Sequence, residues 1–141
     1  MLAQQFGRVP FIHRAASVEH QREASIGLFG MMAGFAKDLS YIRKWSTYNA
    51  RSETAAEKAT FKGAWQHGRR CIIPAESFFE PNYESGKSVR WRIHSTSAKP
   101  LGIAGLWEHW HAPDGKTLLT VTMLTVNAEE HPLMKRFHKP D

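Results

Sequence analysis

The chain has 141 residues, enough for one domain, and 42% of them are hydrophobic, enough to fill a core. Lysine and arginine number 19 against 13 acidic residues, so the formal net charge is +6. Cys71 is the only cysteine, which excludes an internal disulfide, and no apolar run is long enough to cross a bilayer. Together with the absence of a signal-peptide pattern, this predicts a cytoplasmic protein.

The first half of the chain predicts one strand and two helices. Residues 1–23 carry weak signals and indicate an extended or loop region, whereas residues 25–32 are apolar with internal glycines, typical of a buried strand. Residues 37–48 place Leu39, Ile42 and Trp45 at helical spacing, which predicts a short helix that packs this stripe. A second helix is expected over residues 55–66, with Phe61 and Trp65 on its core face.

The second half reads as strands joined by turns. Two arginines at residues 69 and 70 lead into a short apolar strand that begins at Cys71 and that Pro74 should break. Residues 88–94 alternate as a half-buried strand whose basic face could contact phosphates or simply be solvated. Residues 101–110 and 117–126 are two strands around a hairpin turn, and residues 132–137 form a turn or short helix. The fold class is therefore α+β, with a mostly antiparallel sheet and a few short helices.

Glu80 is the carboxylate with the most unusual surroundings. It follows Phe78 and Phe79 directly. Partial burial disfavours the charged form and raises a carboxyl pKa toward the range of a general acid or base. Asn49 and His138, from distant segments, would complete a site for proton transfer and substrate orientation.

Other kinds of site were weighed against this one. Cys71 with His138 could form a nucleophile pair, but Cys71 begins an apolar strand and is better interpreted as a buried, inert thiol. His109 and His111 point the same way on a strand, yet cysteine ligands are lacking and we expect no metal. Interleaved aromatic and basic residues favour single-stranded nucleic acid as a partner, although a basic protein without a polyanion partner is the alternative.

The order of several motifs narrows the function. They are Asn-Ala-Arg-Ser-Glu-Thr at residues 49–54, Arg-Arg-Cys-Ile-Ile-Pro-Ala at 69–75, Phe-Phe-Glu at 78–80 and Ala-Gly-Leu-Trp-Glu at 104–108, with His138 near the end. This series resembles the SOS-response-associated peptidase (SRAP) family, from about residue 27 to residue 138. The resemblance implies a single SRAP-like domain over residues 1–141, with residues 1–24 unassigned, a barrel-like core, no cofactor, and a monomer.

The resemblance also implies a DNA-damage function. Family members bind single-stranded DNA and crosslink abasic sites through an N-terminal cysteine, whose amine and thiol form a thiazolidine with the sugar aldehyde, and they carry autoproteolytic peptidase activity. By motif, Asn49 would hold that cysteine, Glu80 would act as acid or base, and His138 would assist crosslinking and its reversal. Each of these steps moves a proton and can use such groups.

Three further residues are implied as DNA contacts. Arg51 would pair with a phosphate beside the lesion, Phe35 would lie near the aromatic wedge, and Thr125 would approach the backbone. The sequence departs from the family at Leu2, where cysteine is expected, and it stops soon after His138. We therefore expect an incomplete sequence, missing both ends of a longer protein. A non-catalytic module for single-stranded nucleic acid is the alternative, and a cysteine hydrolase using Cys71 is a weaker one.

Overall fold

The computed structural model of the chain describes residues 7–137. This part of the chain contains eight strands, two short α-helices and one 3₁₀ turn. In order they are β1 (Arg8–Arg14), β2 (Arg22–Phe29), α1 (Ser40–Trp45), β3 (Asn49–Arg51), α2 (Lys62–Gln66), β4 (Arg70–Ala75), β5 (Ser77–Asn82), β6 (Val89–His94), β7 (Leu101–His111), β8 (Thr117–Thr125) and the 3₁₀ turn (Met134–Phe137). Within this range, no helix is both long enough and apolar enough to span a membrane.

The chain folds as two compact units. Among the described residues, the barrel unit comprises residues 7–74 together with Ile103–Thr125. The hairpin unit comprises Ala75–Gly102 together with residues 126–137.

Five strands of the barrel unit form a closed ring. The order around it is β1, β2, β8, β7, β4, and β4 pairs again with β1. Most pairs are antiparallel, but β2 and β8 run parallel, with Leu28 opposite Thr120. The three-residue strand β3 extends the sheet beside the last part of β8, also in parallel. The predicted α+β fold with a barrel-like, mostly antiparallel sheet is confirmed, and β8 is its central strand.

The ring encloses one core, and the helices cover two others. Phe11, Cys71, Ile73 and Val121 fill the ring. Ile42 of α1 packs with Trp110, and Ala64 of α2 packs with Leu106. Each large side chain that is fully buried contributes about 1.5–3 kcal/mol through the hydrophobic effect.

The region at the start of the chain that was expected to be extended or a loop contains strand β1. Phe11 and His13 are buried, while their neighbours Ile12 and Arg14 are exposed. This two-residue period is the signature of a strand with one face on the core. The strand is extended chain, as one of the two predicted alternatives, but it was not predicted as a strand because Pro10 and the scattered charges masked that period.

Three other elements have boundaries that differ from the predicted ones. The strand expected over residues 25–32 ends at Phe29, because Gly30 adopts φ +119°, which favours glycine. Only Lys62–Gln66 of the second expected helix is α-helical; the preceding residues form successive turns, among them the bond from the Lys58 amide to the Thr54 carbonyl. Pro74 does not break β4, which continues to Ala75.

Apolar side chains that were predicted to be buried in two elements are exposed. Trp45 was expected in the stripe of α1, but it is 61% exposed, and only Ile42 of that helix is buried. Val89 and Trp91 of β6 were expected on a buried face and are 44% and 40% exposed. Alternation in sequence defines the two faces of a strand but does not say which face another element covers.

Candidate functional site

Strand β3 presents two of the predicted site residues to solvent. Asn49 and Arg51 are exposed, whereas Ala50 between them is fully buried in the core. Alternation along a strand explains this: burying Ala50 turns both neighbours to the opposite face. Because Ala50 fixes the strand, the Asn49 and Arg51 side chains project from an anchored backbone.

Strand β8 brings a third predicted residue to the same edge. Arg51 lies opposite Thr125 in the parallel register, and the Ser52 amide donates a hydrogen bond to the Thr125 carbonyl at 2.8 Å. The buried Thr122 hydroxyl donates to the Thr47 carbonyl at 3.0 Å, which ties the loop before β3 to β8. Asn49, Arg51 and Thr125 are thus brought together along the β3–β8 edge of the barrel unit.

Phe35 lies elsewhere on the barrel unit, in an exposed aromatic patch. Its ring is 68% exposed and meets Tyr41 edge-on at 5.8 Å between centroids. Tyr41 in turn lies 6.3 Å from Trp45, over which the Lys44 ammonium sits at 5.5 Å. The patch combines open ring faces with a cation, which are the groups that stack on bases and pair with phosphates.

Glu80 belongs to the hairpin unit, on strand β5. It lies opposite Trp91 of β6 and is half-buried. Burial raises the pKa of its carboxyl through desolvation, as its aromatic neighbours predicted. No hydrogen bond or ion pair to Glu80 is found within residues 7–137, so nothing there offsets the cost of ionising it.

The face of the hairpin that carries Glu80 also holds the 3₁₀ turn. The buried Asn82 amide donates to the Arg136 carbonyl at 3.2 Å, and Trp91 meets the buried Phe137 ring at 5.8 Å. Asn82 lies two residues after Glu80 on β5, and Trp91 lies directly opposite Glu80 on β6, so both side chains share the face that carries Glu80. His138, the third predicted catalytic residue, lies outside the described residues and follows Phe137 in the sequence.

An exposed ion pair adds to this attachment. Arg136 donates to both carboxylate oxygens of Glu84, from Nε at 2.7 Å and from Nη2 at 3.0 Å. These hydrogen bonds lower the pKa of Glu84 and raise that of Arg136. Neither Asn82 nor Glu84 was predicted as a site residue. The two-residue spacing from Glu80 to Asn82 was the sequence signal that could have placed Asn82 on the same strand face as Glu80.

Comparison with known proteins decides the family. The family model of the SOS response associated peptidase (SRAP) matches residues 4–139. The chain belongs to the SRAP family. That confirms the resemblance drawn from the four motifs.

Three relatives illustrate the similarity of this SRAP chain. Abasic site processing protein YoqW of Bacillus subtilis (strain 168) is 36% identical over 111 residues, covering 78% of this chain and 47% of the relative. Abasic site processing protein HMCES of Xenopus tropicalis is 28% identical over 105 residues, covering 62% and 31%. A crystal structure from Bordetella bronchiseptica has 38% identity and a TM-score of 0.78, covering 94% and 63%. The chain spans about half the length of the Bacillus relative.

Two of the SRAP-like motifs meet in an ion pair that supports the fold. Arg69 Nη1 donates to Glu108 Oε1 at 2.6 Å, and its guanidinium lies 5.7 Å from the centre of the Trp107 ring. Both side chains of the pair are largely shielded from solvent, at 29% and 19% exposure. These motif residues therefore join the start of β4 to β7.

Cys71 is the inert thiol that its sequence context predicted. It is buried in the ring core, and burial raises the pKa of its thiol to about 12. A buried thiol with a raised pKa supplies little thiolate at neutral pH, which argues against a hydrolase built on Cys71. Within residues 7–137, no group of three His, Cys, Asp or Glu side chains could hold a metal ion.

Proposed function

We propose that this chain is the DNA-binding and acid–base part of a protein that processes abasic sites in single-stranded DNA by covalent crosslinking. Two lines support the proposal: membership of the SRAP family, and relatives named abasic site processing proteins. The observation that carries it is Glu80, a half-buried carboxyl with a raised pKa on the hairpin face that holds the turn before His138.

The proposed chemistry begins at the ring-opened sugar aldehyde. The amine of an N-terminal cysteine attacks the carbonyl carbon, and the carbinolamine that forms loses water to give an imine. The cysteine thiol then adds to the imine carbon and closes a thiazolidine, with its proton passing to nitrogen. Glu80 suits the proton transfers because burial raises the pKa of its carboxyl above the ordinary value, toward the range of a general acid or base.

The remaining predicted residues have binding roles in the proposal. Arg51 pairs with a phosphate beside the lesion, a charge-assisted contact, and Thr125 approaches the same backbone. Asn49 orients the N-terminal cysteine, and His138 works with Glu80 in forming and reversing the crosslink. Phe35 stacks on a base next to the lesion.

The covalent step requires an N-terminal cysteine, and position 2 of this sequence is leucine. The chemistry is therefore tested in a version that begins Met-Cys, so that removal of methionine exposes the cysteine. The self-processing peptidase activity that we propose is that same removal of methionine. Mass spectrometry of the purified protein measures it directly.

The decisive assay uses a single-stranded oligonucleotide with one abasic site and a matched oligonucleotide without it. We expect a heat-stable adduct on a denaturing gel only with the abasic strand. Glu80→Gln should slow its formation by about 10²–10⁴-fold, the usual contribution of general acid–base catalysis. Glu76→Gln is the matched control, because Glu76 is an exposed glutamate just before β5, and it should form the adduct at the normal rate. No adduct from the Met-Cys version would refute the proposal.

A non-catalytic module for single-stranded nucleic acid is the second candidate, favoured by the exposed patch of Phe35, Tyr41 and Trp45. It predicts salt-sensitive binding with equal affinity for the abasic and undamaged strands. It also predicts that Glu80→Gln changes nothing. A measurable preference for the abasic strand would exclude it.

A further inference from the structure

The barrel unit has an open groove of about 650 Å³ that none of the proposed site residues line. It lies where the β1–β2 hairpin turns and where β4 begins. Its lining includes Arg14, Arg22 and Arg70, which we call the arginine row, and the apolar residues Ile12 and Ile72.

The strand register explains why the three arginines stand side by side. Arg14 is directly opposite Arg22 in the β1–β2 pair. Ile12 is opposite Ile72 in the antiparallel β1–β4 pair, so the same register, two residues along, sets Arg14 beside Arg70. All three arginines are exposed. Since neighbouring strands are about 4.8 Å apart, the row spans about 10 Å across three strands.

The arginines of this row repel one another, and a bound anion would relieve that repulsion. Like charges directly opposite each other on a sheet are destabilising. Within residues 7–137 no ion pair to the arginine row is found. The nearby carboxylates of Glu23 and Glu19 instead lie 3.6 Å from His13 Nε2 and His20 Nε2.

We propose that this groove binds consecutive phosphates of a single nucleic-acid strand. Guanidinium groups match phosphate oxygens in geometry and charge. A row about 10 Å long exceeds the reach of one phosphate, and an open groove suits a strand that passes through it. The exposed pair Ile12 and Ile72 offers apolar contact to a sugar or base.

The groove is separate from the β3–β8 edge. In the ring, β1 and β8 are not neighbours; β2 lies between them on one side, and β4 and β7 lie between them on the other. A strand held on the arginine row is therefore held away from Arg51 and Thr125. The row would supply affinity that is independent of any lesion.

The test measures binding of a fluorescent, undamaged 20-nucleotide oligothymidylate by anisotropy at several salt concentrations. Changing the arginine row to glutamine should weaken binding roughly tenfold or more at low salt. It should also reduce the slope of log K against log salt by about 2, since each phosphate contact contributes about 0.7 for single strands. The control variant combines Lys58→Gln, Lys99→Gln and Lys116→Gln, which is the same change in charge. It should keep a larger share of the binding affinity and of the salt slope than the arginine variant does.

A double variant guards against loss of folding. Arg70 also lies over the Trp65 ring, 5.0 Å from its centre, so its replacement can cost stability. Arg14→Gln with Arg22→Gln removes only mutual repulsion and should leave the melting temperature unchanged or higher while binding weakens. An equal loss in the lysine control, or full affinity and slope in both arginine variants, would overturn the proposal.

Inorganic phosphate distinguishes a strand site from a small-anion site. At matched ionic strength, phosphate should displace the oligonucleotide no better than chloride does. Phosphate binding that is lost when the arginine row is replaced, with affinity for the oligonucleotide insensitive to the row, would assign the groove to a free anion instead. Because the DNA is undamaged and no covalent step is involved, the outcome does not depend on the abasic-site chemistry.

Discussion

Replacing Gly105 with alanine tests the close packing of β7 against β8. An added Cβ would lie 2.6 Å from the Thr122 carbonyl oxygen and 3.0 Å from Cys71 Sγ. The oxygen belongs to the backbone of the neighbouring strand and cannot rotate away, so the strands must separate locally. Overpacking a core costs typically 1–3 kcal/mol, and a backbone contact this short places Gly105→Ala near the upper value, about 3 kcal/mol.

Thermal unfolding followed by circular dichroism measures the effect. For a chain of this size, about 3 kcal/mol corresponds to a melting temperature lower by roughly 10 °C. Gly34→Ala is the matched control, because no atom lies within 4 Å of its added Cβ. Its stability should change by no more than about 0.5 kcal/mol. A melting temperature for Gly105→Ala equal to that of the control would refute the packing described for the ring.

Three further outcomes follow from the geometry. The stability contribution of protonated Glu80 is present below its unfolded pKa and is lost as pH rises through its raised folded pKa. Glu80→Gln should therefore raise the melting temperature at pH 8 and leave it unchanged below about pH 4. A gain in melting temperature that persisted at low pH would contradict the desolvation of Glu80. Native Cys71 should resist alkylation at pH 8 and react once urea unfolds the chain, and ready labelling of the native protein would disprove its burial. Asn82→Ala removes the side-chain bonds to the Arg136 carbonyl and the Glu84 amide, which should cost about 1–3 kcal/mol in urea unfolding; an unchanged midpoint would show that these bonds do not hold the 3₁₀ turn.

Local sequence signals predicted much of the sheet. The turn at residues 112–116 and the Thr- and Val-rich strand after it were found because hairpin turns and β-branched strands have strong local signatures. The parallel pairing of β2 with β8 was not, since it joins Leu28 to Thr120 across most of the chain. Single-sequence patterns contain no register between segments so far apart.

In the candidate site, too, features set by neighbouring residues could be predicted and features set by distant contacts could not. The surroundings of Glu80 could be predicted, because Phe78 and Phe79 adjoin it in the sequence. The attachment of the 3₁₀ turn through Asn82 and Trp91 could not, because it depends on which hairpin face that turn covers. Charge composition likewise indicated an anionic partner, but only the pairing of β1 with its neighbours aligns the arginine row.

The position of β8 has a consequence for synthesis on the ribosome. β8 pairs with β7, with β2 and with β3, so both closure of the ring and the edge that carries Asn49 and Arg51 depend on it. Strands β1 and β2 emerge roughly 90 to 110 residues before Thr120, and at typical elongation rates of about 5–20 residues per second they wait roughly 5–20 seconds for their partner. During that interval the apolar face of the first hairpin, including Phe11, lacks the β8 side chains that it packs against in the ring core. Closure of the ring is therefore a late event that waits until residues 117–125 leave the exit tunnel.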